Sequence, residues 1–223
     1  MQRELVIWGT GGHALVVADV VRLQGLYRIA GFLDDSRPFR GGSEFNGVPV
    51  LGTGEALDTL VGQGIRHLLL AFGDCEARLR LARVAREKGF QLATAVHPRA
   101  VVAEGVSVGD GTVIAAGAVV NPGAVIGENV IINTLAGVDH ECQLEDGVHL
   151  SPGVRLAGRV TVGRGSWVGM GASVKERVRI GAGTVIGAGA VVLRDVPDGV
   201  VAYGVPARVV KENRLAHANV AQS

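Results

Sequence analysis

Aromatic side chains make up only 4% of this 223-residue chain, with two tryptophans and two tyrosines among them. Such rings carry much of the core in ordinary globular domains, so the core here must be narrow and aliphatic. Cysteine is equally scarce. Cys75 and Cys142 are the only two, which excludes a secreted disulfide framework. Charge of one sign is missing as well, with 22 basic against 21 acidic residues and a net charge of +1. That balance gives no electrostatic reason for a nucleic-acid or membrane-surface partner. No apolar run approaches the ~20 residues needed to span a bilayer. The N-terminus lacks the basic region, apolar core and cleavage site of a signal peptide. A soluble, cytoplasmic protein is expected.

What the chain has is glycine, 34 residues of it, and a strict repeat. Cut into hexads from Val101, the stretch to Val196 shows an aliphatic residue at the second place of all sixteen, from Val102, Val108 and Ile114 to Val192. The sixth place is small or β-branched throughout, as in Val106, Thr112, Ala118 and Ala124. A fixed short period marks a solenoid. A hexad is too short for a strand plus a helix, but it fits a short strand plus a corner. Three hexads then make one triangular coil of 18 residues. At the ~4.8 Å strand spacing the stack is roughly 25 Å tall. Several first places are apolar too, including Val119, Val125 and Val185. Apolar outer faces mark interfaces, and a triangular prism packs well around a threefold axis, so a homotrimer is expected.

Residues 1–96 have no hexads and read instead as alternating strands and helices. Strands are expected at 5–8, 29–33, 67–72 and 92–96, helices at 14–23, 55–61 and 76–88, and a loop at 36–47. That order implies a parallel sheet. His97-Pro98 breaks the pattern. The expected organisation is therefore an α/β domain at 1–96, a β-solenoid with a final extended segment at 97–210, and a short tail at 211–223.

Two places carry candidate chemistry. Gly9-Thr10-Gly11-Gly12-His13-Ala14 follows a strand and opens a helix, matching G-x-G-x-x-G/A. Glycines there let backbone approach a phosphate at a helix N-terminus. Asp34-Asp35 ends the next strand, where an acidic residue contacts a ribose in dinucleotide folds. Gly73-Asp74 reaches the same carboxyl edge. About four strands fit, half a dinucleotide fold, which suits a ligand with one nucleoside better than NAD. The second place is within the repeat, where Asn133, Asp139-His140-Glu141 and His149 fall within 20 residues. His140 takes a fourth place, on an outward corner. Beside Glu141 it reads as a general base, although an ordinary surface histidine would occupy the same position. Gly158 is one coil beyond it and offers a backbone N–H as an oxyanion donor. His149 is half a coil away, on another side. His140, His149 and Asp139 share no metal-ligand spacing, and no metal is expected.

The series GTGGHALVVADV, GFLDD, GVPVLG, AFGD, NTLAGVDHEC, HLSPG and YGVPAR resembles the bacterial sugar-nucleotide acetyltransferases of the left-handed β-helix superfamily. These are relatives of the sugar O-/N-acyltransferases, and the likeness covers nearly the whole chain. It implies the left hand of the coil, acetyl-CoA as co-substrate, and N-acetylation of a UDP-, GDP- or dTDP-linked amino sugar for surface glycans. It also implies roles. His140 would be the base, tuned by Glu141. His149, Met170 and Ala188 would contact acetyl-CoA, with Arg208 at a CoA phosphate. Asn133 would approach the sugar amine. Gly11, Gly12 and His13 would hold the sugar nucleotide, with Asp34, Asp35 and Gly73 around its nucleoside. Sugar O-acetylation and a catalytically silent nucleotide-binding solenoid are the alternatives. An NAD enzyme is disfavoured by the short N-terminal domain. Cys142 takes an inward sixth place and makes a poor nucleophile.

Overall fold

The computed structural model describes residues 2–36 and 42–213. It divides into two compact units that meet between Pro98 and Arg99, two residues beyond the expected boundary.

The N-terminal unit is a twisted sheet with helices on it. In chain order its elements are β1 (Arg3–Trp8), α1 (Gly12–Gln24), β2 (Tyr27–Leu33), β3 (Glu44–Phe45), β4 (Val48–Gly52), α2 (Leu57–Gly62), β5 (His67–Leu70), α3 (Cys75–Glu87) and β6 (Gln91–Leu92). The sheet order is β3-β4-β2-β1-β5-β6, parallel except for the β3–β4 hairpin. Strands β1 and β5 are continuous apolar runs because both faces are covered: Leu5, Val6, Ile7, Leu68 and Leu69 have no exposed surface. The hairpin's first strand falls where a loop was expected, and its second, Val48–Gly52, where no strand was expected. The two-residue strand has no apolar pattern to announce it, and residues 37–41 of that loop lie outside the described residues.

From β1 the chain winds to β2 on one side and to β5 on the other. The carboxyl ends of β1 and β5 therefore flank the topological switch point, where open α/β sheets bind ligands. Gly9 is fixed there by two constraints. Its φ is +124°, and a Cβ would come 3.0 Å from the Ala71 carbonyl oxygen. Meanwhile Ala71 N–H donates to Trp8 O at 2.8 Å, so the two strand ends are tied.

In α3 the inner face is formed by Cys75, Arg78, Leu79, Ala82 and Ala85. The apolar spacing of this helix in the sequence puts Leu79, Leu81, Ala82 and Val84 inward, and of these Leu81 and Val84 are not on the buried face. Both are only partly buried, and the stripe is rotated to include Arg78, 1% exposed.

The second unit is the solenoid. Two-residue strands alternate with four-residue corners, and each strand pairs in parallel with the one 18 residues on. Ile131 pairs with His149, His149 with Trp167, and Trp167 with Val185. The other two faces follow the same rule, as in Val119–Gly137–Arg155 and Val125–Gln143–Thr161. Second-place residues from Ile114 to Val192 are buried. The buried sixth-place hydroxyls satisfy corner carbonyls: Ser166 donates to Gly181 O at 2.6 Å and Thr112 to Gly127 O at 2.9 Å. Val113 and Ile131 are each 1% exposed, unlike Val119 and Val125, which stay outside. The last parallel strand, Val200–Gly204, turns back antiparallel into Ala207–Glu212. That final strand thus runs two residues into the expected tail, and from 214 on the tail lies outside the described residues.

Gly9→Ala should destabilise the N-terminal unit by about 1–3 kcal/mol. Thermal or urea unfolding checks this, and an unchanged midpoint would mean that the turn relaxes at no cost.

Candidate active site

In every solenoid hexad from the first to the one ending at Ala190, the fifth residue is in the left-handed region. Glycine fills most of these places, with Asn129, Leu135, Glu141, Arg159 and Arg177 as the exceptions. Glu141 (φ 57°) and Arg159 (φ 62°) are stacked one coil apart on the same edge. Their side chains meet: Arg159 Nε donates to Glu141 Oε2 at 2.9 Å. The same oxygen lies 3.0 Å from His140 Nδ1. Arginine's hydrogen bond, followed by that of His140, holds the Glu141 carboxyl below its ordinary range, so it is ionised at neutral pH. A carboxylate only accepts. Nδ1 therefore carries the proton, and in the neutral ring Nε2 carries the lone pair.

The imidazole lies against the next coil. A Cβ on Gly158 would come 2.4 Å from His140 Nε2 and 2.6 Å from Cε1. Gly158 is buried beneath the ring, and among the described residues its N–H has no acceptor. The corner is fixed from the other side too. Asp139 Oδ1 accepts from His140 N at 2.7 Å and from Asn121 Nδ2 at 2.9 Å. Those two bonds lower the Asp139 carboxyl. Cys142 is fully buried, donates to Ala157 O at 3.2 Å, and has its thiol raised by burial. It is not an accessible nucleophile.

The remaining solenoid candidates follow a different edge. Asn133, Met170 and Ala188 are on the corner column that precedes the His140 face, so one chain does not bring them to the imidazole. Asn133 is turned onto its own corner, its Oδ1 accepting from Thr134 N at 2.8 Å. Met170 and Ala188 are exposed and one coil apart, joined by Gly189 N–H to Met170 O at 2.8 Å. Their own N–H groups have no acceptor among the described residues. Two such donors a coil apart fit the amides of an extended chain such as pantetheine. His149 is mid-face and 7% exposed, stacked on Trp167 at 5.8 Å and 13°. Trp167, 46% exposed, donates to Ser151 Oγ at 2.6 Å. Arg208 is exposed on the final hairpin, with Nη1 on Ala207 O at 2.9 Å.

In the N-terminal unit, Gly11 and Gly12 are exposed, and a Cβ on either would meet nothing within 4 Å. Neither has a positive φ. Their glycine identity thus answers to no internal contact, which is what a ligand-approach surface requires. No side chain caps α1, so its first N–H groups face the same opening. His13 on the first turn is half-buried. Burial, and then the Arg78 charge, lower its pKa to about 4, so the ring is neutral at pH 7. The two aspartates are tied inward. Asp34 accepts from Thr10 Oγ1 at 2.5 Å and from Ser36 N at 2.8 Å. Asp35 accepts from Trp8 Nε1 at 2.8 Å and from Gly54 N at 2.7 Å. Gly73 follows β5, its carbonyl 3.7 Å from the Cys75 thiol.

Sequence reasoning missed Arg159, Asn121, Trp167, Trp8 and Arg78. The usable signal for Arg159 was the 18-residue offset from Glu141. For Arg78 it was a charge on an otherwise apolar helical stripe.

Residues 4–85 match the family model of the PglD N-terminal domain, and residues 159–194 that of the bacterial transferase hexapeptide, six repeats. The chain is 44% identical to perosamine N-acetyltransferase from Caulobacter crescentus, over 94% of this chain and 97% of that one, with a TM-score of 0.89. That enzyme was crystallised with CoA and GDP-perosamine, with one histidine replaced by asparagine or by alanine. This chain belongs to the sugar-nucleotide acetyltransferases of the left-handed β-helix superfamily. The acetyltransferase domain of PglB from Neisseria gonorrhoeae, in complex with acetyl coenzyme A, is 38% identical over 94% of this chain and all of that one (100%), with a TM-score of 0.88. WeeI from Acinetobacter baumannii is 26% identical over the same shares, with a TM-score of 0.79.

Two outcomes are expected of this acetyltransferase. Gly158→Ala should displace the imidazole and lower kcat about tenfold or more with the fold intact by circular dichroism. Unchanged turnover would show that the ring has another resting place. His13 makes the fold acid-sensitive. Its folded pKa is below the unfolded one, so stability is full above pH ~6.5 and is lost as pH falls toward 4. At pH 5 the loss is up to about 2 kcal/mol. His13→Gln should remove that part of the slope, and equal slopes in urea unfolding between pH 7 and pH 5 would contradict it.

Proposed function

We propose that this acetyltransferase moves the acetyl group of acetyl-CoA directly to the amine of a GDP-linked amino sugar. The observation that carries the proposal is the His140 imidazole, with Nδ1 committed to Glu141 and Nε2 against Gly158. A base presented in this way suits deprotonation of an attacking amine. The GDP class is favoured by the 44% identity with an enzyme crystallised with GDP-perosamine. UDP- and dTDP-linked sugars are the competing classes.

In the proposed reaction the sugar nucleotide is held at the Gly11–Gly12 turn, with neutral His13 beside it. Asp34 and Asp35 shape the loop around the nucleoside. The amine nitrogen bonds to the thioester carbonyl carbon as His140 Nε2 takes its proton. The Gly158 N–H donates to the developing oxyanion. The carbon–sulfur bond then breaks, and the CoA thiolate takes the proton from His140. Met170 and Ala188 hold the pantetheine amides, with Asn133 near the amine, His149 beside the acyl carrier and Arg208 at a CoA phosphate.

His140 and Gly158 occupy one edge of the prism and Asn133, Met170 and Ala188 another, which supports a homotrimer in which neighbouring prisms complete each site. The proposed nucleotide-linked substrate supports a cytoplasmic place in surface-polysaccharide biosynthesis.

His140→Ala should lose at least ~100-fold in kcat while retaining acetyl-CoA affinity. Thiol release with a panel of GDP-, UDP- and dTDP-amino sugars, and titration calorimetry, read the two quantities. Near-native kcat in the variant would remove His140 from the chemistry. CoA release only with a hydroxyl acceptor would replace N- by O-transfer.

A further inference from the structure

Arg159 is a residue that neither the glycine pattern nor stability explains. It holds a left-handed corner where glycine is the common occupant, and so does Glu141, the residue to which it is bonded. A non-glycine residue is disfavoured in that conformation. An ion pair between side chains 48% and 51% exposed returns little of that cost. Glu141, Arg159 and Arg177 hold three successive left-handed corners of the stack, and the side chains of the first two meet at one oxygen. That oxygen is the one facing His140 Nδ1.

We infer that Arg159 is the positioning residue of the His140 base: by clamping Glu141 Oε2 it fixes the imidazole's tautomer and ring plane. This rests on the proposed role of His140 and deepens it. Glu141 alone is half-exposed and free to rotate about its side-chain bonds. Hydrogen-bonded through Nε to Arg159, it presents one oxygen to Nδ1. With the proton held on Nδ1, Nε2 is left as the acceptor. The charged or ionisable groups packed around the imidazole are Asp139, Glu141 and the buried Cys142 on the corner itself, Arg159 on the next, and Lys175, Glu176 and Arg177 on the one after. The preceding coil presents Asn121, Pro122 and Gly123, which carry no charge. Lys175 is 3.6 Å from Glu176, and Asp139 is bonded to Asn121 and to the His140 backbone. Arg159 is the cation placed on Glu141.

Arg159→Gly is the informative variant, because glycine is native at most equivalent corners and relieves the left-handed strain. Its unfolding midpoint should equal or exceed that of the native chain. Its kcat should fall about tenfold or more, with KM for acetyl-CoA and for the GDP-amino sugar within about twofold of native. Arg159→Lys keeps the charge without the guanidinium fork and should recover part of kcat. In a Glu141→Gln background, Arg159→Gly should cost nothing further, because the effect passes through Glu141. The ring-nitrogen chemical shifts of His140, in chain labelled at histidine, should move from one tautomer toward a mixture in Arg159→Gly. Native kcat in Arg159→Gly overturns the inference, as does an equal loss in the Glu141→Gln background or an unchanged ring spectrum. If His140→Ala is itself active, the proposed base falls instead. A dead His140→Ala beside a fully active Arg159→Gly removes Arg159 alone.

Discussion

The parallel ladder between residue i and residue i+18 is the constraint on which the solenoid depends. Each two-residue strand is too short to be stable alone, and a coil cannot bury its own aliphatic corners without a neighbour. Stacking solves both problems together. Backbone groups of Ile131 and His149, or of Trp167 and Val185, pair across coils, while Ile132, Leu150 and Val168 form one continuous column inside. No long-range loop has to be closed, so the cost of order is met one coil at a time.

The same register places the chemistry. A side chain at one corner is a coil away from whatever is 18 residues on, whether or not the two have related roles. Glu141 reaches Arg159, Asn121 reaches Asp139 and His140 lies on Gly158 for that reason. The N-terminal unit achieves comparable convergence by a different route. There the switch point of a parallel sheet gathers the ends of β1, β2 and β5, and residues as distant as Trp8, Asp35 and Gly54 become bonded neighbours. Gly54 is tight against the indole, since a Cβ would come 2.5 Å from the Trp8 ring.

The repeat was legible because its signal is additive: sixteen second places all point the same way, and no single substitution hides them. Strands β1, β2 and β5 were legible as apolar runs, with ends within a few residues of the structure. The short hairpin strand Glu44–Phe45 was not, since two residues define no period. His140 and Glu141 stood out as chemically unusual in a corner, whereas Arg159 looked like one more surface arginine. Its meaning lies in a bond to a residue 18 positions earlier. Trp8 and Asp35 show the same limit: one read as the end of a strand and the other as half of an acidic pair, and their mutual hydrogen bond joins two different strand ends. Arg78 was hidden by the prior that an arginine faces water. The helix instead brings its guanidinium to Phe72 O at 3.1 Å.

A stack of identical parallel coils presents, at its far end, a template onto which another stack could grow. On the face ending in Val185–Ile186, Val200–Gly204 adds one more parallel strand, and Ala207–Glu212 then reverses direction. An incoming coil of this protein would meet an antiparallel strand bearing Arg208, Lys211 and Glu212 rather than the unpaired edge of a parallel one. Charged side chains on an edge oppose further pairing. On that face the closing hairpin therefore acts as a terminator of the stack, within a geometry otherwise suited to endless fibres.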